Sequence, residues 1–257
     1  ALIRICDAAI LMSKRYAEEC RRQAEAKAAD APRKTELLQM AEGLDHIMEH
    51  PARTFWEAVQ AILLYQLMLS LDGLMHGLTV GRFDQYVYPY YKRDIEEGRL
   101  TREQAQEILD CFFLKIAEGV NLKPTRSAQS SGGYTSGQHM SLGGVKKDGS
   151  DATNDISFMM LESMARLKLH DPPLSLRVHK NSPRELLEAA VACTREVGGI
   201  PTLQNDEVII PTLLERGFTL EDARDYCLIG CVEPAGCGND WPMCGGTGRE
   251  TYLNLFN

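Results

Sequence analysis

The chain has 257 residues, of which 44% are apolar and 25% charged, and its formal net charge is −8. Its acidic balance and the lack of a dense Lys/Arg stripe exclude a nucleic-acid-binding surface, and no apolar run reaches the roughly 18–20 residues of a membrane helix. Eight cysteines occur in a chain long enough to bury an ample core, and the first residues carry no secretory signal, so we expect reduced thiols and a cytoplasmic location.

The first half of the sequence predicts helices. Apolar residues at helical spacing indicate a helix over residues 2–27, and a second helix over residues 34–49 stops before Pro51. A third helix, over residues 54–71, is apolar on most faces and is expected to be central. Residues 82–97 are helix-like around a kink at Pro89, and residues 101–104 form a capping box that opens a helix to about residue 118. The first helix lacks a cap and the last helical pattern lacks a stop signal, so we expect a fragment of a longer protein.

The second half alternates between strands and helices. It predicts strands within residues 136–144 and over 174–179, 201–204 and 226–229, and helices over 151–167, 182–197, 206–216 and 219–224. A capping box with Pro183 at the first helical position opens the second of these helices. This order indicates parallel β/α units. Ligands collect beyond the carboxyl ends of parallel strands, where we expect residues 179–181, 205–207 and the segment after 229.

Residues 230–234 read Gly-Cys-Val-Glu-Pro and follow the last predicted strand. Gly230 releases the chain from the strand and Pro234 stiffens it, a pattern typical of a functional loop. Residues i and i+2 of an extended segment point to the same side, so Cys231 and Glu233 are predicted to face one cavity.

These residues complete a pattern that resembles the glycyl radical enzymes, the group of pyruvate formate-lyase and the choline, glycerol and hydroxyproline lyases. The resemblance runs across essentially the whole chain. It rests on residues 51–58 (Pro-Ala-Arg-Thr-Phe-Trp-Glu-Ala), 81–91 (Gly-Arg-Phe-Asp-Gln-Tyr-Val-Tyr-Pro-Tyr-Tyr), 141–144 (Ser-Leu-Gly-Gly), 205–207 (Asn-Asp-Glu) and 230–234. The last stretch is diagnostic of the family.

The resemblance implies a helix-rich α/β fold, part of a ten-stranded β/α barrel that is built from two five-stranded parallel halves and surrounded by helices. Residues 1–257 would be an internal fragment of this barrel domain, without the N-terminal part and without the C-terminal glycyl radical domain. The full-length protein would be a homodimer.

The resemblance also implies the chemistry. Cys231 would carry a transient thiyl radical that abstracts hydrogen from substrate, and Glu233 would act as general base or acid. A glycyl radical on the missing C-terminal part, installed by a separate AdoMet-dependent iron–sulfur activating enzyme, would be the only cofactor. The expected reaction is cleavage of a C–O, C–N, C–S or C–C bond in a small polar substrate. Sulfur suits one-electron chemistry because it is soft and polarisable.

The sequence departs from the family pattern at three points. Pyruvate formate-lyase has two adjacent cysteines, whereas Gly230 precedes Cys231 here, which argues against that activity. Diol dehydratases carry a Trp-His-Asp run after the Cys/Glu loop, but Trp241 is followed by Pro-Met-Cys, and their His-Ser pair is replaced by His76 and a glycine. These departures favour an unassigned lyase or decarboxylase. His76, Cys237 and Cys244 are the expected substrate contacts.

Other interpretations stay open. One is a dehydratase that acts on a diol or hydroxy-amino acid, and another is an inactive assembly subunit. A non-catalytic zinc-binding or structural protein is a third, although the spacing of the four late cysteines, Cys227, Cys231, Cys237 and Cys244, fits no common zinc knuckle. The sequence identifies neither the substrate nor the bond that is cleaved.

Four further histidines match weaker signals. His46 and His50 fit the H-x-x-E-H pattern of inverted zinc proteases, but the predicted helix ends at Pro51, and we interpret the pair as a solvated helix end. His139 and His179 are interpreted as structural histidines with satisfied hydrogen bonds rather than as site residues.

Overall fold

The computed structural model describes residues 2–26, 30–72, 77–119, 124–130, 137–230 and 232–238, and the chain divides into two units, Ala1–Met68 and Leu69–Asn257. The first unit contains α1 (Leu2–Ala26), α2 (Ala31–His46) and the start of α3 (Phe55–Asp72). Its core consists of small and aliphatic side chains: Ala17, Cys20, Ala24, Leu37, Ala41, Leu44, Ile47, Ala61 and Leu64. No helix in the described ranges is long and apolar enough to cross a membrane.

The second helix begins earlier than predicted because Asp30 caps it. The Asp30 carboxylate accepts a hydrogen bond from the Arg33 amide at 3.2 Å, and Pro32 occupies the first turn, where its missing N–H costs nothing. Ser13 donates to the Leu44 carbonyl at 2.5 Å and thereby joins α1 to α2.

The second unit is helix-rich and also contains short strands. The helices are α4 (Phe83–Tyr86), α5 (Tyr88–Glu96), α6 (Arg102–Ala117), α7 (Thr125–Ser130), α8 (Asp155–Leu167), α9 (Arg184–Val197), α10 (Asp206–Glu215) and α11 (Leu220–Arg224). The strands are β1 (Met140–Gly143), β2 (Leu174–Val178), β3 (Thr202–Asn205), β4 (Cys227–Ile229) and β5 (Glu233–Ala235). The helix α7 and the strand β5 were not predicted.

Two of the predicted helix starts are tested by hydrogen bonds. The capping box at α6 is confirmed, since Thr101 accepts from the Gln104 amide at 3.2 Å and the Gln104 side chain accepts from the Thr101 amide at 2.9 Å. The capping box predicted at α9 is wrong. Pro183 is the N-cap residue, and no side chain among the described residues hydrogen-bonds to the first amides of α9. The Ser182 hydroxyl, which was expected to do so, instead accepts from the His179 amide at 2.9 Å and closes the turn after β2.

The kink predicted at Pro89 is instead a break between α4 and α5. Pro89 lies in the first turn of α5, where an amide N–H has no helical partner in any case. Phe83 is fully buried and stacks on Phe112 with ring centroids 5.2 Å apart, so this side chain packs in the core.

The strands β1, β2 and β3 form a parallel sheet in that order, with α8 and α9 as the crossover helices. Their register aligns Ser141, Ser175 and Thr202 in one row across the sheet. On the other side of β1, Gly81 forms a parallel bridge with Met140, and its carbonyl accepts from the Ser141 amide at 2.8 Å. The α/β, helix-rich class is therefore confirmed.

The strand β4 differs from the prediction of parallel units, since it pairs antiparallel with β5. Ile229 lies opposite Glu233, so only residues 230–232 connect the two strands. A connection this short joins antiparallel strands, whereas parallel strands need a crossover of a dozen or more residues. We call β4, β5 and the residues between them the hairpin.

Candidate functional site

The hairpin presents the Gly-Cys-Val-Glu-Pro stretch. Gly230 has a φ of +51°, in the left-handed region that glycine adopts without steric cost, and it starts the turn. Glu233 is half-buried, and its carboxylate accepts a hydrogen bond from the Val232 amide at 2.9 Å. Cys231, the predicted radical residue, lies outside the described residues, so its predicted orientation toward Glu233 stays a prediction.

One face of the parallel sheet binds the backbone of β4 through side chains. The Leu228 amide donates to the Ser141 hydroxyl at 2.9 Å, and the Leu228 carbonyl accepts from the Thr79 hydroxyl at 3.2 Å. Both side chains are buried. Buried backbone groups need partners, and here hydroxyl groups supply the partners that a neighbouring strand would otherwise provide.

His139 makes a third contact to the hairpin from the same face. Its Nδ1 lies 3.1 Å from the Gly230 carbonyl, and its Nε2 lies 2.6 Å from the Ser175 hydroxyl. Burial lowers the pKa of His139 to about 4, although the Gly230 contact and the Glu233 charge act in the opposite direction. The imidazole is therefore neutral near pH 7.

The base of the hairpin is anchored by an ion pair at the carboxyl ends of the sheet. The fully buried Arg177 contacts Asp206 twice, at 3.0 and 2.9 Å, and donates to the Tyr226 carbonyl at 2.9 Å. The Tyr226 hydroxyl donates to Asp206 at 2.7 Å, and burial raises the pKa of this phenol, so it keeps its proton. Asp206 is thus part of the support for β4.

The second arginine of this region, Arg82, connects the family stretch at residues 81–91 to the same base. It donates to Asp225 at 2.8 Å and to the Val145 carbonyl at 2.9 Å. Asp84, two residues later, accepts from the Gly143 amide at 2.8 Å and fixes the end of β1. The Gly-Arg-Phe-Asp motif therefore joins β1 to the chain that leads into the hairpin.

These contacts correct where the hairpin lies relative to the sheet. We expected the Cys/Glu loop beyond the carboxyl ends of the strands, beside residues 179–181 and 205–207. Tyr226, just before β4, does lie at the carboxyl ends of the strands, where its carbonyl contacts Arg177. From there β4 runs antiparallel to β1, because Leu228 contacts Ser141 and Gly230 contacts the earlier residue His139. The turn of the hairpin therefore lies over the sheet face, because side chains along β1 hold its backbone there.

Two buried thiols lie in and next to the hairpin, Cys227 on β4 and Cys237 after β5. Cys227 and Cys237 share an apolar cluster with Ile229 and Ala235. The hydrogen bond between the Cys227 S–H and Cys237, followed by burial, raises the pKa of Cys227 well above its ordinary value, so this thiol stays protonated. The predicted role of Cys237 in substrate binding stays a prediction, and His76 and Cys244 lie outside the described residues.

The zinc hypotheses concern the pair His46 and His50 and the four late cysteines. Within the described ranges, no three His, Cys, Asp or Glu side chains are grouped so that they could hold a metal ion. His46 contacts the Pro51 carbonyl at 2.9 Å, and Glu49 pairs with Lys14, so this helix end is occupied by other contacts. Cys231 and Cys244 of the four-cysteine hypothesis lie outside the described residues.

Sequence reasoning missed His139, Ser141 and Thr79 as residues that hold the hairpin. A sequence signal for these residues did exist, since a buried strand of a parallel sheet is normally apolar throughout and polar residues in it are unusual. The strand β1 and the residues around it instead carry hydroxyl and imidazole side chains at alternate positions, all of them buried. Polar residues with a period of two on a buried strand indicate a face that binds something polar, here a backbone.

Comparison with known proteins agrees with this geometry. A family model described as pyruvate formate lyase-like matches residues 1–255. An isethionate sulfite-lyase of Bilophila wadsworthia (strain 3_1_6) is 40% identical over 237 residues, which are 91% of this chain and 28% of that protein. A solved structure from work on 1,2-propanediol dehydration in Roseburia inulinivorans matches with a TM-score of 0.88 at 43% identity, over 92% of this chain and 30% of that one.

A glycyl radical enzyme from Archaeoglobus fulgidus matches with a TM-score of 0.85 at 35% identity, over 91% of this chain and 30% of its own. The chain spans between 28% and 30% of the length of these three relatives. Since the family match extends over nearly every residue and the folds superpose closely, the chain belongs to the pyruvate formate lyase-like family of glycyl radical enzymes.

Proposed function

We propose that this chain is the internal part of a glycyl radical lyase, with Cys231 and Glu233 as its chemical pair. The three parallel strands with crossover helices would belong to a ten-stranded barrel of two five-stranded halves, completed by other parts of a longer protein. The 28–30% share of the relatives' length supports this reading.

The observation that carries the proposal is the way the hairpin is held. The backbone of Leu228, just before the Gly-Cys-Val-Glu-Pro segment, and the carbonyl of Gly230, its first residue, are bound to buried polar side chains, so the side chains of the segment remain available for chemistry. The surrounding side chains fit radical chemistry, since the hydroxyl groups, the neutral imidazole and the protonated thiol carry no charge. A site that excludes water also protects a reactive intermediate from side reactions.

The proposed mechanism gives each residue a defined role. A glycyl radical, installed elsewhere in the longer protein by an AdoMet-dependent iron–sulfur activating enzyme, would supply the unpaired electron. Cys231, as a thiyl, takes a hydrogen atom from a carbon of the substrate, and its S–H returns a hydrogen atom after bond cleavage. Glu233 takes or gives the proton of a substrate hydroxyl or neighbouring group, which contributes about 10²–10⁴-fold when geometry is right.

The substrate is proposed to be a small polar molecule. The relatives bear names that refer to isethionate and to 1,2-propanediol, both small and polar. His76, Cys237 and Cys244 are the proposed contacts to it. The activating enzyme and a second copy of the full-length protein are the proposed partners, and the cytoplasmic location stays a prediction.

The decisive experiment uses the full-length protein with its activating enzyme under anaerobic conditions. We expect a glycyl radical by EPR, no turnover in Cys231→Ser with the radical still formed, and at least about 100-fold slower turnover in Glu233→Gln. Cys111→Ser is the matched control, because Cys111 is an exposed thiol on α6, and we expect it to keep full activity. Turnover that survives Cys231→Ser would contradict the assignment.

A dehydratase acting on a diol is the second candidate, favoured by the 1,2-propanediol relative at 43% identity. The altered residues after Trp241 and the glycine after His76 argue against it. The same activated protein, supplied in turn with 1,2-propanediol, glycerol and isethionate, separates the two candidates. Stoichiometric zinc in the purified protein without turnover of any of them would instead favour the non-catalytic interpretation.

A further inference from the structure

We propose that His139 is a positioning residue for the cysteine turn, acting as the neutral Nδ1–H tautomer that donates to the Gly230 carbonyl. This inference rests on the proposed function of the hairpin. It extends that function to a residue on the sheet that neither the Gly-Cys-Val-Glu-Pro stretch nor the other family stretches contain.

The tautomer follows from the partners of the two ring nitrogens. A carbonyl oxygen only accepts, so the Nδ1 atom that lies 3.1 Å from Gly230 carries the proton. A neutral ring then has a lone pair on Nε2, and the Ser175 hydroxyl, 2.6 Å away, donates to it. Ser175 in turn accepts from Thr202 at 2.6 Å, and Thr202 accepts from the Gln204 amide at 3.4 Å.

In this series of hydrogen bonds each group donates to the next, from Gln204 on β3 through Ser175 on β2 to the Gly230 carbonyl of the hairpin. The register of the sheet makes it possible, because Ser175 lies opposite Thr202 on the neighbouring strand. His139 and Ser175 are fully buried, so reversing any bond in the chain would leave a buried polar atom without a partner. The depressed pKa of His139, about 4, keeps the ring neutral over the whole working range.

The Gly230 carbonyl is a sensitive point at which to hold the turn. It belongs to the peptide unit that joins Gly230 to the next residue, and a peptide unit is planar. Gly230 itself, with φ at +51°, has the broadest conformational freedom of any residue type. A single donor on this oxygen therefore orients the plane from which the proposed radical residue extends, and a displacement of about 1 Å costs on the order of 100-fold in rate.

The test compares two amides in the activated full-length enzyme. Asn places its side-chain N–H near the position of Nδ1, whereas Gln places it near Nε2. We expect His139→Gln to lower kcat by about 10- to 100-fold with unchanged KM and unchanged glycyl radical content. We expect His139→Asn to recover kcat to within about threefold of wild type. His179→Gln is the matched control, because His179 pairs with Asp151 at 3.0 Å and makes no contact with the hairpin in the described residues.

Two outcomes overturn the inference: both His139 variants retaining wild-type kcat, or both losing it equally while the radical forms normally. A second measurement does not depend on activity or on the folding of His139→Gln. In ¹⁵N-histidine NMR of the wild-type full-length protein, we expect the His139 ring as the neutral Nδ1–H tautomer from pH 5.5 to 8. An Nε2–H or charged ring there overturns the inference, and a protein that shows this tautomer but no radical contradicts only the proposed function.

Discussion

Gly144 and Gly198 have nearly the same φ, +76° and +80°, but very different surroundings. A Cβ on Gly144 would lie 2.7 Å from the Arg177 guanidinium, whereas a Cβ on Gly198 would meet nothing within 4 Å. The arginine that anchors the hairpin base therefore needs the space that this glycine leaves.

Gly144→Ala and Gly198→Ala separate backbone strain from this collision. Both substitutions should cost about 1 kcal/mol of unfolding free energy from the positive φ. Gly144→Ala should cost about 1–3 kcal/mol more, because Arg177 must move from Asp206 and Tyr226. Urea unfolding of the two variants measures the difference, and equal losses would contradict the role given to Gly144.

His139 gives the protein a pH dependence at the same scale. Its folded pKa, about 4, is below the ordinary histidine value of 6.5, mainly because of burial. Between these values the unfolded chain binds a proton that the folded chain does not, so stability is lost as pH falls from about 6.5 toward 4. The loss should reach about 2 kcal/mol at pH 5.

The measurement compares wild type with His139→Asn by urea unfolding at pH 7.5 and pH 5. Asn does not titrate, so the variant should lack about 2 kcal/mol of the acid destabilisation seen in wild type. An identical pH dependence in both proteins would show that this histidine is not held neutral.

At the scale of elements, β4 depends on side chains for hydrogen bonds that strands usually obtain from strands. Ser141→Ala would leave the buried Leu228 amide without its partner and destabilise the hairpin by about 1–3 kcal/mol. We expect faster amide hydrogen exchange in residues 227–229, with little change in α8 or α9. Ser150→Ala removes an exposed hydroxyl and is the control, and unchanged exchange in Ser141→Ala would contradict this account.

The sequence was sufficient for elements with local signals and insufficient for those decided by tertiary contacts. The helix α1 follows its apolar periodicity, α3 follows its long apolar run, and α6 follows its capping box. The strand β5 carries Pro234 and only three residues, so nothing local distinguishes it from a loop. Ser182 has the sequence context of a helix cap, but a neighbouring amide uses its hydroxyl.

In the candidate site, too, the sequence indicated the residue in a local motif and not the residue whose contacts are distant in the chain. Glu233 was selected because a short motif contains it, and motifs are visible in sequence. His139 was set aside because its partners, Gly230 and Ser175, lie 91 and 36 residues away and meet only through the register of a parallel sheet. No spacing rule reports a contact of that kind.

At the scale of the whole chain, the sheet ends at β3 within the described residues, and Leu203 on that strand is 63% exposed. An edge strand with unpaired backbone groups and an exposed apolar side chain favours pairing with other chains. The chain expressed alone should therefore self-associate, and Leu203→Lys should reduce the association in light scattering. Val191→Lys, on a helix surface with 60% exposure, is the control and should change it less. A monomeric chain would contradict the expectation that other parts of the protein cover β3.

The contacts at Leu228 and Gly230 all end on main-chain atoms, and such atoms are the same in every amino acid. Exchanging Val232, which is 41% exposed, or Glu233 would therefore leave these three anchors in place. Under the proposed function, the side chains at this turn can therefore change in evolution or by design while the backbone of the turn keeps its position.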